Sequence, residues 1–591
     1  MAVARGKMRF MVVLALAAYG CGCALAWVAD FHMCVQIDPL VQCLDSRALR
    51  DRFWESLLYL HSQPPLLNFI LGIVLKLEQA GGPSIQTSLF WMHLTMGACA
   101  AAGIGALAGR LIRPRLAAAA ATLLFLFHPM FYVHTFFFFY TIHELLFLVC
   151  MALFAEQYLR RGRVRDFAGA GIFTIALVNT HTLFAPAWAM ALLIGLAALN
   201  PRRRRGTGLC RLAPVAAMLI ILLVAWPLKN WMIFDTFSYT SWAGYNLSHN
   251  FLGNNEHLLP DPRGIYRPEP LGPEPVRWTL DHAEFELTPR SRQLRLEYWV
   301  EHPDVGANKP VHVRMSVDHT PVVDETICSR GLQKRALTLP PLQQRCLVEF
   351  EINPTWRDGT GRELGIAIGR LSWQTTTGSL RATILMPRNV IHGIPARMQD
   401  VETLIKPFKP GGHLNFNHYW MFDYSRRGTD MALSALRRNP RLLLDKIMAN
   451  YLYFTRFSGR HAYSGEYICP PGSLLWNWTR LYEALLCQDF RPESKLSETG
   501  LAHPWPISGF MLTFPLLIGL IPLKIMREWR AHPIRARLAL CMYYCIAWVT
   551  LLVIVVDGLE GNRLRFSTIP FLIILGFWLL PGARGVKGQG R

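Results

Sequence analysis

Residues 59–72, YLHSQPPLLNFILG, decide how many times the chain would cross a bilayer. Two adjacent prolines, Pro64 and Pro65, separate a polar segment from an apolar run of about 13 residues over 66–78. Because a helix needs about 20 apolar residues to cross the hydrocarbon core, this run is too short to span it. The stretch therefore predicts a short interfacial or re-entrant helix that starts at the proline pair.

The composition of the whole chain is that of a polytopic α-helical membrane protein. Of the 591 residues, 52% are hydrophobic and 17% are charged, and the mean hydropathy is +0.22. The amino-terminal run is predicted to remain as a first helix rather than a cleaved signal peptide. The ten apolar runs lie near 8–27, 86–109, 116–134, 141–158, 166–181, 184–199, 210–232, 506–523, 537–556 and 567–581.

Basic residues set the predicted orientation of these runs. The net charge is +21, but the arginines fall in short loops between apolar runs, and no nucleic-acid-binding motif accompanies them. Placing every basic loop in the cytoplasm leaves all other loops outside, with ten spans and both termini inside. The outer loops then include residues 28–85 and the proline elbow. The five basic clusters are 5–9, 110–115, 158–166, 200–208 and 523–537.

The cysteines agree with this orientation. Seven of the 13 lie in or beside apolar runs, where cysteine behaves as a small hydrophobic residue. The other six lie in segments assigned to the outside, two in each segment, which is typical of disulfides in an oxidising compartment. Six cysteines allow 15 pairings, and proximity in sequence favours Cys34–Cys43, Cys328–Cys346 and Cys469–Cys487.

A long outer block separates the seventh run from the eighth. In its middle, apolar and polar residues alternate in short segments between turn-rich links, which predicts an inserted antiparallel β-sandwich that acts as a spacer or lid. The predicted parts are an N-terminal transmembrane catalytic module (1–232) with an acidic first outer loop (28–85), mainly helical or loop regions (233–275 and 377–505), the β-sandwich (276–376) and a C-terminal transmembrane module (506–591).

Polar side chains gather where the predicted spans meet the outer face. Any one of them is more often a solvated or snorkelling group than a catalyst, so the set on one face is more informative than its members. The candidates are Asp38 and Asp45 in the first loop, His61 and Gln63 at the elbow, Glu144 at the mouth of the fourth span, Lys229 near the end of the seventh, and Glu560, Arg563 and Arg565 in the last outer loop.

Carboxylates and cations on one membrane face suit transfer of a sugar from a lipid-linked phosphate donor. Cations would neutralise the phosphate leaving group, and a carboxylate would take the proton of the acceptor hydroxyl. A polyprenyl tail would lie between helices, which accounts for a scaffold with many spans.

YLHSQPPLLN, following an acidic first outer loop, resembles the first-loop signature of the C-type (GT-C) membrane glycosyltransferases. That superfamily includes protein O-mannosyltransferases and the bacterial aminoarabinose transferases of lipid A. LKNWMIFDTFSYTSWAGYNL (228–247), FNHYWMFDYSRR (416–427) and GLEGNRLRF (558–566) are similar to motifs of an uncharacterised bacterial branch. GTGRELGIAI (359–368) resembles a strand motif of β-sandwiches attached to bacterial glycosyltransferases.

The resemblance implies direct displacement at the anomeric carbon, with a first-loop aspartate as base. Several aspartates compete, because the usual Asp-Glu pair is absent from this loop. Asp38 is preferred to Asp45, since Ile37 and Pro39 indicate a fixed, partly buried site, and Glu144 is a further candidate. The arginines of the last loop and Lys229 would bind the donor phosphate, with Glu560 orienting one arginine. His61 and Gln63 would hydrogen-bond sugar or phosphate.

The expected partners follow from this reaction. They are a polyprenyl-phosphate sugar donor, an extracytoplasmic glycan, lipid or protein acceptor, and membrane lipids, with no nucleic acid. No dense acidic cluster of the kind that cages Mg²⁺ or Mn²⁺ stands out in the sequence, so no metal or other cofactor is expected. The expected location is a bacterial inner membrane with the site on the periplasmic face.

Two alternatives remain at the level of sequence. A transporter of lipid-linked sugars usually shows internal repeats and charges near the membrane midplane, whereas these polar residues cluster at one face. A non-catalytic membrane scaffold or binding protein could share the same topology and sandwich, but it would not need the acidic and arginine loops to converge.

Overall fold

The computed structural model divides the chain into two compact units. Met1–Leu57, Gln63–Thr240 and Leu443–Arg591 form one, here the helical unit, and Leu58–Ser62 with Ser241–Leu442 form the other, here the sandwich unit. The structure describes residues 2–29, 32–199, 207–252, 261, 263–265, 269–270, 275–306, 309–339, 345–357, 362–376, 378–385, 387, 389–455, 474, 477–478, 481–482, 509–556 and 565–580.

Helices dominate the described residues of the helical unit. In chain order the helices of both units are α1 (Ala2–Val28), α2 (Ser46–Asp51), α3 (Phe53–Leu58), α4 (Leu66–Gln79), α5 (Ile85–Leu111), α6 (Arg115–Leu126), α7 (Pro129–Phe136), α8 (Thr141–Arg161), α9 (Val164–Thr180), α10 (Pro186–Ala198), α11 (Thr207–Phe234), α12 (Ala243–Leu252), α13 (Glu402–Ile405), α14 (Trp420–Arg438), α15 (Arg441–Phe454), α16 (Gly509–Glu528), α17 (Pro533–Val556) and α18 (Ile569–Leu579).

Several of these helices have the length and apolar character of membrane spans, so the chain is an integral membrane protein. Among the described residues six qualify, in α1, α5, α8, α11, α16 and α17. The pair α6 and α7, bent by 49° at a short break, would be a seventh if it crosses as one span. The apolar helices α10 and α18 are shorter.

The short helix after the proline elbow forms as the sequence predicts. α4 begins directly after Pro65 and is 14 residues long, below the length of a span. Pro65 itself occupies the N-cap position with helical backbone angles, where the missing N–H of a proline leaves no intrahelical hydrogen bond unmade.

The described parts of the predicted cytoplasmic loops meet at one end of the helical unit, here the basic end. Lys7 Nζ donates to the carbonyl oxygens of Ile112 (2.5 Å) and Arg113 (2.9 Å), which joins the first helix to the loop after α5. Arg110 pairs with Glu156 of α8 at 2.5 Å. Arg537, at the start of α17, donates to the Leu199 carbonyl at 3.0 Å, directly after α10.

A second set of contacts gathers the other helix ends. Trp548 of α17 donates to the Leu183 carbonyl at 2.9 Å, between α9 and α10. Asn450 of α15 donates to the Ile554 carbonyl at 2.9 Å, and its neighbour Tyr451 to the Met511 carbonyl at 2.5 Å. These contacts lie at the ends opposite to the basic loops, so consecutive long helices run in alternate directions.

Close helix packing in the helical unit depends on small residues. A side chain at Gly105 of α5 would place its Cβ 2.6 Å from the Met11 carbonyl oxygen of α1. Ala15, Ala101 and Ala108 are completely buried in the same core. Because lipid tails are as apolar as the side chains, no hydrophobic effect drives helices together inside a bilayer, and they gain stability from such close van der Waals contact.

The sandwich unit contains the predicted inserted β-domain. Its strands are β1 (Glu269–Pro270), β2 (Pro275–Trp278), β3 (His282–Leu287), β4 (Gln293–Val300), β5 (Val311–Val317), β6 (Thr320–Ile327), β7 (Gly331–Thr338), β8 (Cys346–Asn353), β9 (Trp356–Arg357), β10 (Glu363–Leu364), β11 (Ala367–Thr375) and β12 (Gly378–Arg381). One sheet has the order β1-β2-β11-β4-β7, with β12 paired to β11, and the other has the order β3-β8-β5-β6. All strand pairs of these two sheets are antiparallel.

Alternation along the strands builds the core between the two sheets. In β5, Val311, Val313, Met315 and Val317 are buried while the residues between them face outward. They share one hydrophobic cluster with Leu296 and other residues of the opposite sheet, which is the packing of a β-sandwich.

The predicted disulfides are not found among the described residues. Cys34, Cys43, Cys328 and Cys346 are not joined to one another. For the last two the strand register explains why. β6 and β8 pair with β5 on its two sides. Cys328 follows the residue of β6 that pairs with Val311, at the start of β5. Cys346 precedes the residue of β8 that pairs with Val317, at the end of β5, so the two cysteines lie at opposite ends of that strand. Disulfide geometry requires Cα atoms within about 7 Å. Cys469 and Cys487 lie outside the described residues.

Candidate active site

The acidic first loop is held in place by its own helical unit. The Cys34 N–H donates to the Phe136 carbonyl at 2.8 Å, and the Phe138 N–H donates to the Cys34 carbonyl at 3.0 Å. This short parallel bridge attaches the loop to the segment between α7 and α8. The loop therefore lies at the mouth of α8, on the end of the unit opposite to the basic loops.

Asn68, in the first turn of α4, fixes the far part of the same loop. Its side chain is completely buried. The amide oxygen accepts from the Leu44 N–H at 2.7 Å, and the amide nitrogen donates to the Gln42 carbonyl at 3.0 Å. Sequence reasoning missed this residue, although it ends the quoted motif YLHSQPPLLN. The available signal was a single amide at the start of a short apolar helix.

The two candidate aspartates of this loop converge on the start of α2. Asp38 is partly buried and accepts from both the backbone N–H and the hydroxyl of Ser46, each at 3.3 Å. Asp45 is only 8% exposed and caps α2 by accepting the Arg47 N–H at 2.8 Å. N-capping is a structural task worth about 1 kcal/mol, so Asp45 has a defined role in stabilising the start of α2.

Glu144 lies in the first turn of α8 and is 1% exposed. Its Oε1 lies 2.8 Å from Nδ1 of His181, which follows α9, although the two groups are not oriented as a hydrogen bond. The His181 ring stacks on Tyr140, with ring centroids 4.1 Å apart. His181 was not among the predicted site residues, because nothing in the local sequence shows that its loop faces Glu144.

A buried pair of histidines adjoins this region. His143 of α8 and His93 of α5 meet edge to face, with centroids 5.2 Å apart, and both are buried. Together with Glu144 and His181 they give the described part of the helical unit a polar interior at the α5, α8 and α9 contact. Such groups are costly inside a membrane and often mark functional sites.

His61 of the elbow belongs to the sandwich unit and is completely buried. Nε2 lies 2.9 Å from the Asn417 carbonyl oxygen and Nδ1 lies 2.8 Å from Ser241 Oγ. Because a carbonyl only accepts, Nε2 carries the proton and Nδ1 accepts from the serine hydroxyl. The ring also stacks on Phe422, with centroids 4.3 Å apart.

These contacts give the elbow a structural task. The Asn417 amide oxygen accepts the His61 N–H at 2.8 Å, and its amide nitrogen donates to the Tyr59 carbonyl at 3.1 Å. Residues 59–62 are therefore locked to two distant segments of the sandwich unit, and both ring nitrogens of His61 are engaged by protein atoms. Gln63, in the helical unit, is 6% exposed.

Lys229 lies near the end of α11 with its ammonium group 3.7 Å from the centroid of the Trp226 ring. The Trp226 ring N–H donates to the Tyr239 carbonyl at 3.2 Å, and the Asn230 amide donates to the Ser238 carbonyl at 2.7 Å. The cation is thus placed on an aromatic face, and the chain after α11 folds back along the helix.

Arg565 is buried rather than displayed on a surface loop, contrary to the expectation from sequence. It is 5% exposed, and its Nη1 donates to the Phe454 carbonyl at 2.5 Å. The guanidinium carbon lies 5.3 Å from the Phe454 ring centroid and 5.0 Å from that of Phe510. The side chain therefore lies between apolar rings at the end of α15 and the start of α16. Glu560 and Arg563 lie outside the described residues.

Two sequence motifs of the sandwich unit meet in an ion network. Arg427 of α14 pairs with Glu363 of β10 at 2.9 Å and with Asp423, one turn earlier, at 2.6 Å. Burial alone would raise the pKa of Glu363, but its hydrogen bonds from Arg427 and Thr355 bring that pKa below its usual value. The network ties GTGRELGIAI to FNHYWMFDYSRR.

Glu284 of β3 shows the opposite effect. It is 2% exposed and pairs across the sheet with Glu349 of β8. Burial, with a smaller contribution from Glu349, raises the pKa of Glu284 to about 8. In the described part of the chain no group of three or more His, Cys, Asp or Glu side chains is arranged to hold a metal ion.

Comparisons with known proteins identify no family for this chain. No protein-family model matches it, and no curated protein matches it significantly.

Proposed function

We propose that the protein is a membrane glycosyltransferase that moves a sugar from a polyprenyl-phosphate donor to an extracytoplasmic acceptor. The observation that carries the proposal is the Cys34 bridge to Phe136 and Phe138. It holds the acidic loop of Asp38 at the mouth of α8, on the same end of the helical unit as Glu144 and opposite to the basic loops.

The proposal includes ten membrane crossings, with α6 and α7 counted as one. The contacts at the two ends of the helical unit support this for α1, α5, α8, α10, α16 and α17, whose ends they join. By the positive-inside rule the basic end faces the cytoplasm, so the acidic loop faces the periplasm of a bacterial inner membrane. Labelling of a cysteine at the exposed position 51 from the outside, and of one at position 530 from the inside, tests this orientation.

The proposed chemistry assigns one role to each candidate side chain. The acceptor hydroxyl would attack the anomeric carbon, the bond from that carbon to the phosphate oxygen would break, and polyprenyl phosphate would leave. Asp38, partly buried and held by Ser46, would take the hydroxyl proton. Glu144, buried beside His181, would orient the acceptor. The negative charge that develops on the phosphate would be offset by three cations. These are Arg563, Arg565 and Lys229, whose ammonium group lies over the Trp226 ring.

The test is sugar transfer by the purified full-length protein. Polyprenyl-phosphate hexoses and pentoses are supplied with an envelope extract as acceptor, and released polyprenyl phosphate is measured. Asp38→Asn should lower turnover by about 10²-fold or more, the usual scale of a lost general base. Asp51→Asn is the matched control, since Asp51 is exposed at the end of α2.

Three results would count against the proposal. Equal activity in both variants would remove Asp38 from the reaction. Donor binding without release, in protein of normal stability, would favour a scaffold or binding protein. Donor movement across vesicle membranes without bond cleavage would favour a transporter of lipid-linked sugars.

A further inference from the structure

A groove of about 490 Å³ opens between α16 and α17 at the basic end of the helical unit. Near the turn that joins the two helices its lining is Arg527, Trp529 and Arg530. Deeper along the helices the lining becomes apolar, with Pro522, Ile525 and Leu540. The groove therefore changes from cationic and aromatic to hydrocarbon-like over about two helical turns.

Both arginines of the groove point away from the core. Arg527 and Arg530 are exposed, and neither forms an ion pair with another described residue. Lys524, one turn earlier, lies 3.5 Å from Glu528, so the carboxylate nearest in sequence already has a cation beside it. The positive charge at the rim of the groove is therefore uncompensated by the described chain.

More cations from distant loops stand close to this rim. Arg113 contacts His532 in the turn between α16 and α17. Arg535, three residues further on, is repelled by Arg113 and Arg160, and Lys7 is repelled by Arg535. Like charges brought together beside a low-dielectric region cost free energy unless an anion offsets them.

The carboxylates nearby do not supply that anion. Glu156 already accepts Arg110 at 2.5 Å and Arg160 at 2.6 Å. Glu528 attracts Arg535 but also lies beside Lys524. The arrangement thus calls for an external negative charge next to an apolar wall.

We propose that this groove binds an anionic phospholipid of the surrounding leaflet. Its phosphate would lie between Arg527 and Arg530, whose planar guanidinium groups can each donate two hydrogen bonds to phosphate oxygens. One acyl chain would follow Ile525 and Leu540, and Trp529 would lie at the level of the headgroups. A phospholipid joins charge and hydrocarbon in the same order as the groove does. The site is remote from the acidic loop and does not depend on glycosyl transfer.

The experiment compares two fluorescent lipids with the same acyl chains, phosphatidylglycerol and phosphatidylcholine, binding to the full-length protein in detergent. The variant is Arg527→Gln with Arg530→Gln. The matched control is Arg295→Gln with Arg314→Gln, which removes two similarly exposed charges from the sandwich unit. Each interfacial cation contributes about a factor of five in affinity for a lipid with net negative charge, so the groove variant should weaken phosphatidylglycerol binding about 25-fold. Phosphatidylcholine binding should weaken much less, because its choline ammonium already offsets the charge of its phosphate.

Other outcomes would overturn the proposal. Equal affinity of the wild-type protein for the two lipids would show that the charge is not recognised, and this result needs no variant to fold. The same loss in the control would indicate a general effect of net charge. Displacement of the lipid by soluble glycerol phosphate at equal concentration would show a site for phosphate alone, without the acyl wall.

Discussion

The Asn68 amide should control how tightly the acidic loop is closed. Asn68→Ala removes two hydrogen bonds, to the Leu44 N–H and the Gln42 carbonyl, each worth about 1 kcal/mol. It also leaves the N–H of Leu44, a residue that is 2% exposed, buried without its acceptor, which adds about 1 kcal/mol or more. The free energy needed to open the loop should therefore fall by about 3 kcal/mol. The population of the open loop should rise about a hundredfold.

Cys43 reports this opening directly. It lies between Gln42 and Leu44, the two residues that Asn68 holds, and is only 3% exposed. Its thiol should therefore react with a maleimide only when the loop opens. Peptide-resolved mass spectrometry of alkylated protein should show Cys43 reacting about a hundredfold faster in Asn68→Ala. Asn179→Ala is the control, because among the described residues that amide donates within its own helix, to the Ile175 carbonyl at 2.9 Å.

An unchanged Cys43 rate in Asn68→Ala, with normal melting of the whole protein, would refute the reasoning. It would mean that contacts other than those of Asn68 keep the loop closed. A faster rate together with normal sugar transfer would separate loop closure from catalysis.

The remaining predictions concern buried charges. Arg565→Ala should lower activity and should lower the free energy of unfolding by about 2–4 kcal/mol. Arg565→Lys should recover only part of the activity and part of the stability. Full stability of the alanine variant in a fluorescence-monitored melt would contradict the burial of Arg565. Because the pKa of Glu284 is raised to about 8 by burial, the stability of the sandwich unit should fall by roughly 3 kcal/mol as pH rises from 5 to 8, and Glu284→Gln should flatten that trend in denaturant titrations of the full chain. The pKa of Glu363 is lowered, so its contribution is present at neutral pH and should disappear as pH falls through that lowered value; an identical acid limb in Glu363→Gln would show that the pair with Arg427 contributes nothing.

Local features of the sequence determined the architecture. Runs of apolar residues indicated membrane helices, two prolines indicated where α4 begins, and alternation such as VHVRMSV indicated the strands of an inserted sandwich. Each of these is a property of neighbouring residues, since helix and strand periodicities act over a few positions. The basic clusters could also be recognised in the sequence. The contacts of Lys7, Arg110 and Arg537 bring their loops to one end of the helical unit.

Partners of individual side chains were decided only by the tertiary structure. Sequence proximity paired Cys328 with Cys346, but the strand order places them at opposite ends of β5. An arginine in a short loop looked exposed, but Arg565 turns inward onto two phenylalanine rings. His61 looked ready for a ligand, but residues far along the chain, Ser241 and Asn417, take both ring nitrogens. Which polar groups meet depends on how distant segments pack, and no local pattern of charge or hydropathy records that packing.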